Sequence, residues 1–568
     1  MWIRSLIDSL KTRASRKRVR QTSRSRKPSC LRFGGLGTGS GPFTECRSRL
    51  NLDQLESREV PAQLSFAVNE FQSSVTLSAS VPSFFGTVHI QEQGAGSLTT
   101  AVDGTIVADV DRTSGTIQFL NPTDLVLGNS GWWQPMAGGV TGSEAANFGG
   151  VAYGPLFTLL AAVRHGKLSL SSGSIALGST DPRTFDTSQV MGVFTAGALD
   201  SNYGSASLTG FANSNSFGLT GSLAKTGADL TLTIPVNISY SVYVPNLGYA
   251  DLNIAGSLQA TAKVPFFVTS VGAKAPAGVS QVQVFDVDGA PRFAGFDPYS
   301  RALAGGVRTG MGDLTGDGFA DIVTGPGAGV AAKVKIFSGA DGSAIGTGFF
   351  PYGTAFNQGI NVAVGNVVDD SLSPGNEIIV SAAGRKVKVF DENGVLQSQF
   401  SPFGGYLGTV RLAVGNVNGS GLDEIVVTRG APVRVRIYGI TGSTASQVMP
   451  ELAPAGVKGN PYVAVGNVLG GAGASIILGD AAGGQVHVFR NDGTLQQTLP
   501  GPYGGAFTHG VRVGVMDVNN DGLLDILTAP GATGGQDAKA YRATDGTLLD
   551  EFSVFDKFNG GFFVAGSS

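Results

Sequence analysis

Short segments in which apolar and polar residues alternate recur along the chain after residue 61. Examples are SSVTLSAS (73–80), KLSLSS (167–172), DLTLTI (229–234) and ISYSVYV (238–244). Alternation with a period of two turns every second side chain toward one face, which is typical of half-buried β-strands. Clusters of Gly, Asn, Asp and Ser separate these segments and supply turns. The pattern predicts an all-β fold.

Residues 62–265 contain such strands without a short internal repeat. This arrangement is typical of an antiparallel β-sandwich or β-barrel, and the pattern does not distinguish between them. We assign no chemistry to this domain from its sequence.

Residues 266–568 repeat with a period of about 50 residues. One motif begins with Asp or Asn at steps of 53, 50, 51 and 50 residues, at Asp313, Asn366, Asn416, Asn467 and Asp517. A second motif of the type VKVF-x-x-x-G follows each time, and Pro-aromatic pairs such as Pro298-Tyr299 recur after it. A repeat of this length with four short strands, a to d, indicates a blade of a β-propeller.

The number of strands predicts six blades. Five complete sets begin near residues 307, 360, 410, 461 and 511. Residues 266–300 match a blade that lacks strand a, and residues 560–568 match an isolated strand a. Pairing these two segments would complete a sixth blade and leave no free sheet edge in the ring.

The segment GDLTGDGFADIV places Asp313, Thr315 and Asp317 at alternate positions before a glycine, as in an EF-hand loop. An EF-hand also requires a glutamate at position twelve and flanking helices, whereas Thr324 stands there between β-like segments. We therefore predict a calcium loop between strands a and b, closed by an acid at position nine. The predicted ligands are Asp313, Thr315, Asp317, the Phe319 carbonyl and Asp321, and in the fifth repeat Asp517, Asn519, Asp521, the Leu523 carbonyl and Asp525.

The other three loops are degenerate. The third, with Asn416, Asn418, Ser420 and Glu424, keeps the spacing with less charge and is predicted to bind calcium weakly. The second carries an insertion, and the fourth has lost its acids. We interpret those two as tight turns held by Asx hydrogen bonds.

Charge and cysteine content separate the first 61 residues from the rest. Residues 1–60 carry 14 Lys and Arg against 5 Asp and Glu, and both cysteines, Cys30 and Cys46, lie there. A basic leader on an acidic body indicates processing or membrane approach, and we expect no nucleic-acid partner. Residues 1–61 are predicted to be either a disordered arm or an export or membrane-surface segment. No apolar run is long enough to span a membrane.

The D-x-T/N-x-D-G-x-x-D-I loops in a β-repeat of 50 residues resemble the FG-GAP/VCBS repeats of integrin-α-type propellers. The resemblance covers residues 266–568. The sequence departs from that family by having six predicted blades instead of seven, and by Gly-Pro-Gly (325–327) or Ala-Pro-Gly (529–531) at the Gly-Ala-Pro step. The leader and LESREVP (55–61) also resemble the N-termini of secreted bacterial repeat proteins that carry Leu-Glu-x-Arg-x-x-Pro.

These resemblances imply a bacterial extracellular or cell-surface protein, exported by a non-standard leader. We expect a non-enzymatic, calcium-stabilised module for binding or adhesion, with a protein or polysaccharide partner and a monomeric state. The alternatives are a structural component of the cell envelope and a polysaccharide-active enzyme. An enzyme is disfavoured because the uniform blades leave little length for catalytic loops, and because His487 is expected to be a solvent-facing residue of strand c.

Overall fold

The computed structural model describes residues 62–567, except 84–85, 92–97, 113, 130, 134–143, 154–157, 227–228, 370–374 and 556–557. The predicted leader, with its two cysteines, lies outside the described residues, as does most of the insertion in the second loop. Residues 57–568 belong to one compact unit. In the described residues, no helix is long and apolar enough to cross a membrane.

The first part of this unit is built from seventeen strands and a 3₁₀ turn at Thr187–Gln189. The strands are β1 (Ala62–Val68), β2 (Ser74–Ser83), β3 (Gly86–His89), β4 (Thr99–Asp111), β5 (Thr116–Leu127), β6 (Gly131–Trp133), β7 (Glu144–Ala146), β8 (Phe148–Tyr153), β9 (Thr158–Ser171), β10 (Ile175–Ala176), β11 (Arg183–Asp186), β12 (Met191–Ser201), β13 (Gly204–Ser207), β14 (Ala212–Ser214), β15 (Thr220–Thr226), β16 (Asp229–Val244) and β17 (Gly248–Lys263).

Fifteen of these strands form a single antiparallel sheet that curls into a filled barrel. Beyond β14, the Ser216 N–H donates to the Asn237 carbonyl of β16 (3.0 Å), which brings the two ends of the sheet together. Buried and exposed residues alternate along β16, as the sequence pattern predicts. The inward side chains leave a cavity of only about 10 Å³ between strands such as β2, β9 and β16. The sheet is therefore a barrel with a packed interior, not a two-sheet sandwich.

The second part is a six-bladed propeller of four-stranded sheets, as predicted. Its strands are β18 (Phe266–Val271), β19 (Val282–Asp286), β20 (Pro291–Phe296), β21 (Val307–Gly312), β22 (Asp321–Pro326), β23 (Val334–Phe337), β24 (Ala344–Phe349), β25 (Asn361–Gly365), β26 (Glu377–Ser381), β27 (Val387–Phe390), β28 (Leu396–Phe400), β29 (Arg411–Gly415), β30 (Glu424–Arg429), β31 (Arg434–Thr441), β32 (Thr444–Gln447), β33 (Tyr462–Gly466), β34 (Ser475–Gly479), β35 (Gln485–Phe489), β36 (Leu495–Pro500), β37 (Val511–Met516), β38 (Asp525–Pro530), β39 (Asp537–Tyr541), β40 (Leu548–Ser553) and β41 (Phe562–Gly566).

The C-terminal strand completes the first blade, which confirms the predicted closure. Strand β41 pairs with β18, with Val268 opposite Ala565, so blade 1 consists of β41, β18, β19 and β20. Blades 2 to 6 then follow in sequence order, four strands each, from β21 to β40. In every blade, strand a lies on the central channel.

The Pro-aromatic pairs lie at four of the blade junctions, from blade 1 to 2, 2 to 3, 3 to 4 and 5 to 6. The Tyr299 hydroxyl lies 2.9 Å from the Thr324 carbonyl and 2.7 Å from the Lys333 carbonyl, both in blade 2. Tyr352 makes the equivalent contacts with blade 3, and Lys388 Nζ donates to the Pro351 carbonyl at 2.9 Å. These contacts explain why a lysine or arginine recurs in strand c.

The junction between blades 4 and 5 lacks such a pair. Pro454 is followed there by Ala455, and both residues line a cavity of about 340 Å³. In blade 5, His487 replaces the strand c lysine, and it is 4% exposed instead of facing solvent, so the sequence-based interpretation of this residue is wrong. Its Nδ1 lies 3.3 Å from Thr498 Oγ1, and its Nε2 lies 3.5 Å from Asp480 Oδ1.

Candidate functional site

The first predicted calcium loop connects β21 to β22. Gly318, at the sixth position, has φ of +83°, a value that favours glycine. The Asp313 carboxylate accepts the N–H groups of Gly316 (2.7 Å) and Gly318 (2.8 Å), and Asp317 Oδ1 accepts the N–H of Phe319 (2.9 Å). The loop is therefore closed by Asx hydrogen bonds from half-buried Asp313 and exposed Asp317.

Asp321, at position nine, is the buried member of this loop. Its side chain is fully buried, and Oδ2 accepts the N–H groups of Leu314 (3.0 Å) and Thr315 (3.1 Å). Its other oxygen, Oδ1, is buried and has no hydrogen-bond partner among the described residues. Burial raises the pKa of Asp321, and the nearby Asp317 and Asp313 carboxylates raise it too. The hydrogen bond from the Leu314 N–H opposes this shift.

The fifth-repeat loop, between β37 and β38, has the same construction. Asp517 accepts the N–H groups of Asp521 (3.2 Å) and Gly522 (3.0 Å), and Asp525 accepts the N–H of Val518 (3.1 Å). Asp525 is 2% exposed, and burial, with the Asp521 and Asp517 carboxylates, raises its pKa to about 7. Asn519 Nδ2 donates to Asp521 Oδ2 at 3.0 Å.

The degenerate loops show what the acid at position nine does on its own. Glu424 accepts the N–H groups of Val417 (2.8 Å) and Asn418 (3.1 Å), and Glu377 accepts those of Val367 (2.8 Å) and Val368 (3.1 Å). This carboxylate therefore caps the loop even where the other acids are missing. The distinguishing feature of the first and fifth loops is an added pair of acids, one half-buried and one exposed, because Asn418 and Ser420 bring no charge to the third.

The acids of each loop are not gathered round one point. Across the described ranges, no group of three His, Cys, Asp or Glu side chains is arranged to hold a metal ion. A calcium ion in the first loop would need Asp313 and Asp317 to rotate from the backbone toward Asp321, with Thr315 Oγ1 and the Phe319 carbonyl as additional donors. These hard oxygen donors have the chemistry that Ca²⁺ prefers.

Both complete loops contact the barrel. Lys263, the last residue of β17, donates from Nζ to the Gly318 carbonyl (3.0 Å) and lies 5.0 Å from the centre of the Phe319 ring. Asn520 Nδ2 donates to Ser65 Oγ of β1 at 2.9 Å. Blades 2 and 6, which carry these loops, flank blade 1, so the complete loops border the junction between the barrel and the propeller.

A second candidate site, which the sequence analysis missed, lies at the opposite end of the channel. One residue near the start of each strand a lines a cavity of about 410 Å³. In blades 2 to 6 this residue lies five positions before the Asp or Asn that begins the loop motif. These residues, with the matching one in blade 1, are Arg308, Asn361, Arg411, Tyr462, Arg512 and Phe563. The sequence signal was available: arginine occupies this position in alternate blades, 2, 4 and 6.

Aromatic rings hold the three arginines. The guanidinium of Arg411 lies 3.4 Å from the centre of the Tyr462 ring, and that of Arg512 lies 5.5 Å from it. Arg512 and Arg308 share the Phe563 ring at 4.7 and 5.1 Å. Burial, together with the positive charges of Arg512 and Arg411, lowers the pKa of Arg308 to about 10. Tyr462 opposes this shift. All three guanidiniums remain charged at neutral pH.

No protein-family model matches the chain. No curated protein matches it either. Among solved structures, AztD from Citrobacter koseri is 12% identical, with a TM-score of 0.24 over 89% of this chain and 98% of that one. The exotype rhamnogalacturonan lyase YesX is 15% identical, with a TM-score of 0.29 over 69% and 65%. BBS1N in complex with ARL6DN is 11% identical, with a TM-score of 0.30 over 48% and 74%. At these scores the likenesses carry no functional argument.

Proposed function

We propose that this chain is a non-enzymatic, calcium-stabilised binding protein of the bacterial cell surface, built on an FG-GAP/VCBS-type propeller. Calcium would be held in the loops 313–321 and 517–525, and the partner would be a protein or a polysaccharide. The export segment would be the basic leader, which lies outside the described residues.

The observation that carries the calcium proposal is the unpartnered oxygen of Asp321. A buried carboxylate oxygen without a hydrogen bond is destabilising, and two more carboxylates of the same loop increase the negative charge around it. A divalent cation among Asp313, Asp317 and Asp321 would pair this oxygen and neutralise the repulsion.

The proposed role of calcium is to rigidify the junction rather than to take part in chemistry. Lys263 and Ser65 of the barrel reach the two complete loops directly. An ion in each loop would fix the backbone at both contacts, in a body that has no cysteine for disulfides.

The lining of the channel cavity supports a binding role. Its lining residues, all of which the structure describes, include no Asp, Glu, His, Cys or Ser. Those residue types supply most of the acids, bases and nucleophiles of enzymes, although tyrosine and threonine, which the lining does include, also serve in some. The cavity instead offers guanidinium, amide and aromatic groups, which suit recognition of a ligand.

Thermal unfolding of the full chain in millimolar Ca²⁺ and in EGTA tests the calcium proposal. Extracellular modules bind calcium with Kd of about 10⁻⁴–10⁻³ M, and saturation at 100 Kd contributes about 2.7 kcal/mol per site. The variant Asp317→Asn/Asp521→Asn keeps the oxygens that accept the N–H groups of Phe319 and Leu523 while removing two charges. We expect calcium to raise the melting temperature of the wild type, and to do so much less for this variant.

The matched control is Asp341→Asn/Asp545→Asn in the same two blades. Both acids accept a backbone N–H in exposed turns, from Ser343 and Thr547 at 2.9 Å, and Asp545 also accepts from Arg542 Nη1 at 3.3 Å. This control should keep the full response to calcium. A melting temperature that is the same in Ca²⁺ and EGTA would refute the calcium proposal and leave these loops as Asx turns.

A further inference from the structure

The strongest unassigned feature is the set of three arginines at the channel mouth. Arg308, Arg411 and Arg512 occupy equivalent positions in blades 2, 4 and 6, so they approach the channel axis from three directions. Asn361, Tyr462 and Phe563 separate them around the ring. Each blade supplies one side chain, and the result is a cavity of about 410 Å³, within the usual range for small-molecule sites.

We propose that this ring binds a multivalent tetrahedral oxyanion group, a phosphate or sulfate, either free or as the end group of a small molecule. The geometry points to this ligand because three positive charges converge on one cavity whose described lining contains no carboxylate. The ion pairs of the described residues pair Asp and Glu with other basic residues, for example Arg301 with Asp297, and none involves this ring. An anionic ligand would balance these three charges.

The arginines retain donors for such a ligand. A guanidinium has five N–H donors, and each of the three uses Nη1 to hold a backbone carbonyl, namely those of Gly305, Asn460 and Pro530. Arg512 is 9% exposed, and its Nε has no hydrogen-bond partner among the described residues. The carbonyl contacts and the stacking on Tyr462 and Phe563 orient the planar groups before any ligand arrives, which reduces the entropy lost on binding.

Arginine, rather than lysine, at all three positions favours an oxyanion over a simple halide. The planar fork of a guanidinium matches two oxygens of a phosphate or sulfate and forms charge-assisted hydrogen bonds with both. Three guanidiniums in alternate blades suit an anion with several equivalent oxygens. The site lies at the end of the channel opposite the calcium loops, so this proposal does not depend on calcium.

The test is isothermal titration of the full chain, in EGTA and low salt, with inorganic phosphate, inorganic sulfate, glucose 6-phosphate and, as the neutral probe, glucose. The variants are Arg411→Gln and Arg308→Gln. The control is Arg301→Gln, which removes a surface arginine paired with Asp297 at 2.8 Å. We expect the wild type and the control to bind an oxyanion at one site, and each ring variant to bind about tenfold more weakly or worse.

Thermal unfolding gives a second test, because the proposal predicts the direction in which the melting temperature changes. Without an anion, Arg411→Gln should be as stable as the wild type or more stable, because it removes one of three mutually repelling charges. Added phosphate or sulfate should raise the melting temperature of the wild type more than that of the variant. Tighter binding of glucose 6-phosphate than of phosphate would identify an ester as the ligand, and the reverse would identify the free ion.

Two results would overturn the proposal. One is that none of the three anionic probes binds the wild type. The other is that anions bind equally well to the wild type and to both ring variants, which would place the site elsewhere. Because every measurement is made in EGTA, neither result bears on the calcium loops.

Discussion

Arg112 of the barrel and Asp286 of the first blade form a buried ion pair, with Nη2 and Oδ2 2.5 Å apart. The same carboxylate also accepts from Lys225 Nζ (2.7 Å) and from Arg292 Nη1 (2.6 Å). Arg112 reaches Asp288 as well, through Nε at 2.7 Å. One fully buried aspartate thus joins two cations of the barrel to one of the propeller, and this cluster fixes how the two parts pack.

We predict that Asp286→Ala destabilises the protein by about 3–5 kcal/mol, because it leaves three cations buried around an empty position. Chemical denaturation measures the loss. The control is Asp251→Ala on the exposed face of β17, which should change stability by less than about 0.5 kcal/mol. Equal stability of the two variants would show that the cluster does not hold the junction.

The contribution of this cluster to the free energy of unfolding should decrease at acidic pH. Burial raises the pKa of Asp286, but Arg112, Arg292 and Lys225 lower it by more, so the net shift is downward. A carboxylate with a lowered pKa stabilises the folded state above its unfolded pKa of about 3.9 and loses that effect as pH falls through the folded value. The stability difference between the wild type and Asp286→Ala should therefore shrink as the pH falls from 5 to 2. A stability difference that stays constant from pH 5 to pH 2 would contradict the lowered pKa of Asp286.

The Pro-aromatic pairs are expected to stabilise the blade junctions through their hydroxyl groups. Tyr352→Phe keeps the ring and removes the contacts with the Val380 (3.1 Å) and Lys386 (2.6 Å) carbonyls. We expect a loss of about 1 kcal/mol in the free energy of unfolding. Tyr243→Phe, at an exposed tyrosine, should have no effect. If both variants matched the wild type, the ring alone would join the blades.

Lys263 should reduce the calcium affinity of the loop 313–321. Its Nζ lies 3.0 Å from the Gly318 carbonyl, so a calcium ion in this loop would add two positive charges nearby. Lys263→Met should strengthen calcium binding by about 1 kcal/mol, or roughly fivefold, whereas Lys263→Arg should leave it unchanged. Calcium titration calorimetry measures both. An unchanged affinity in Lys263→Met would mean that this loop does not hold the ion.

Gly192 faces the barrel interior, close to the side chains of Ile238 and Tyr240. A Cβ at this position would lie 2.5 Å from Ile238 Cδ1 and 3.2 Å from the Tyr240 hydroxyl oxygen. Gly192→Ala should therefore cost about 1–3 kcal/mol through overpacking. Gly173→Ala, where an added Cβ meets nothing within 4 Å, is the matched control and should be nearly neutral. Thermal unfolding compares the two, and equal melting temperatures would show that the interior adjusts freely.

The sequence by itself determined the parts of this fold that rest on local patterns. The strands of each blade follow from alternation and turn residues, and the pairing of Phe562–Gly566 with Phe266–Val271 follows from counting repeats of equal length. The positions of Asp313 and Asp517 between strands a and b follow in the same way. These features need only neighbouring residues and a regular period.

The tertiary structure decided what depends on distant residues. Alternation is the same in a sandwich and a barrel, so only the meeting of Ser216 with Asn237 reveals the closed sheet. His487 is buried beside Asp480 and Thr498, two residues outside its own strand, so the pattern of that strand does not show its burial. Arg308, Arg411 and Arg512 are each unremarkable in sequence, about 100 residues apart from one to the next. They become one charged cavity only because a ring of blades brings equivalent positions to a single axis.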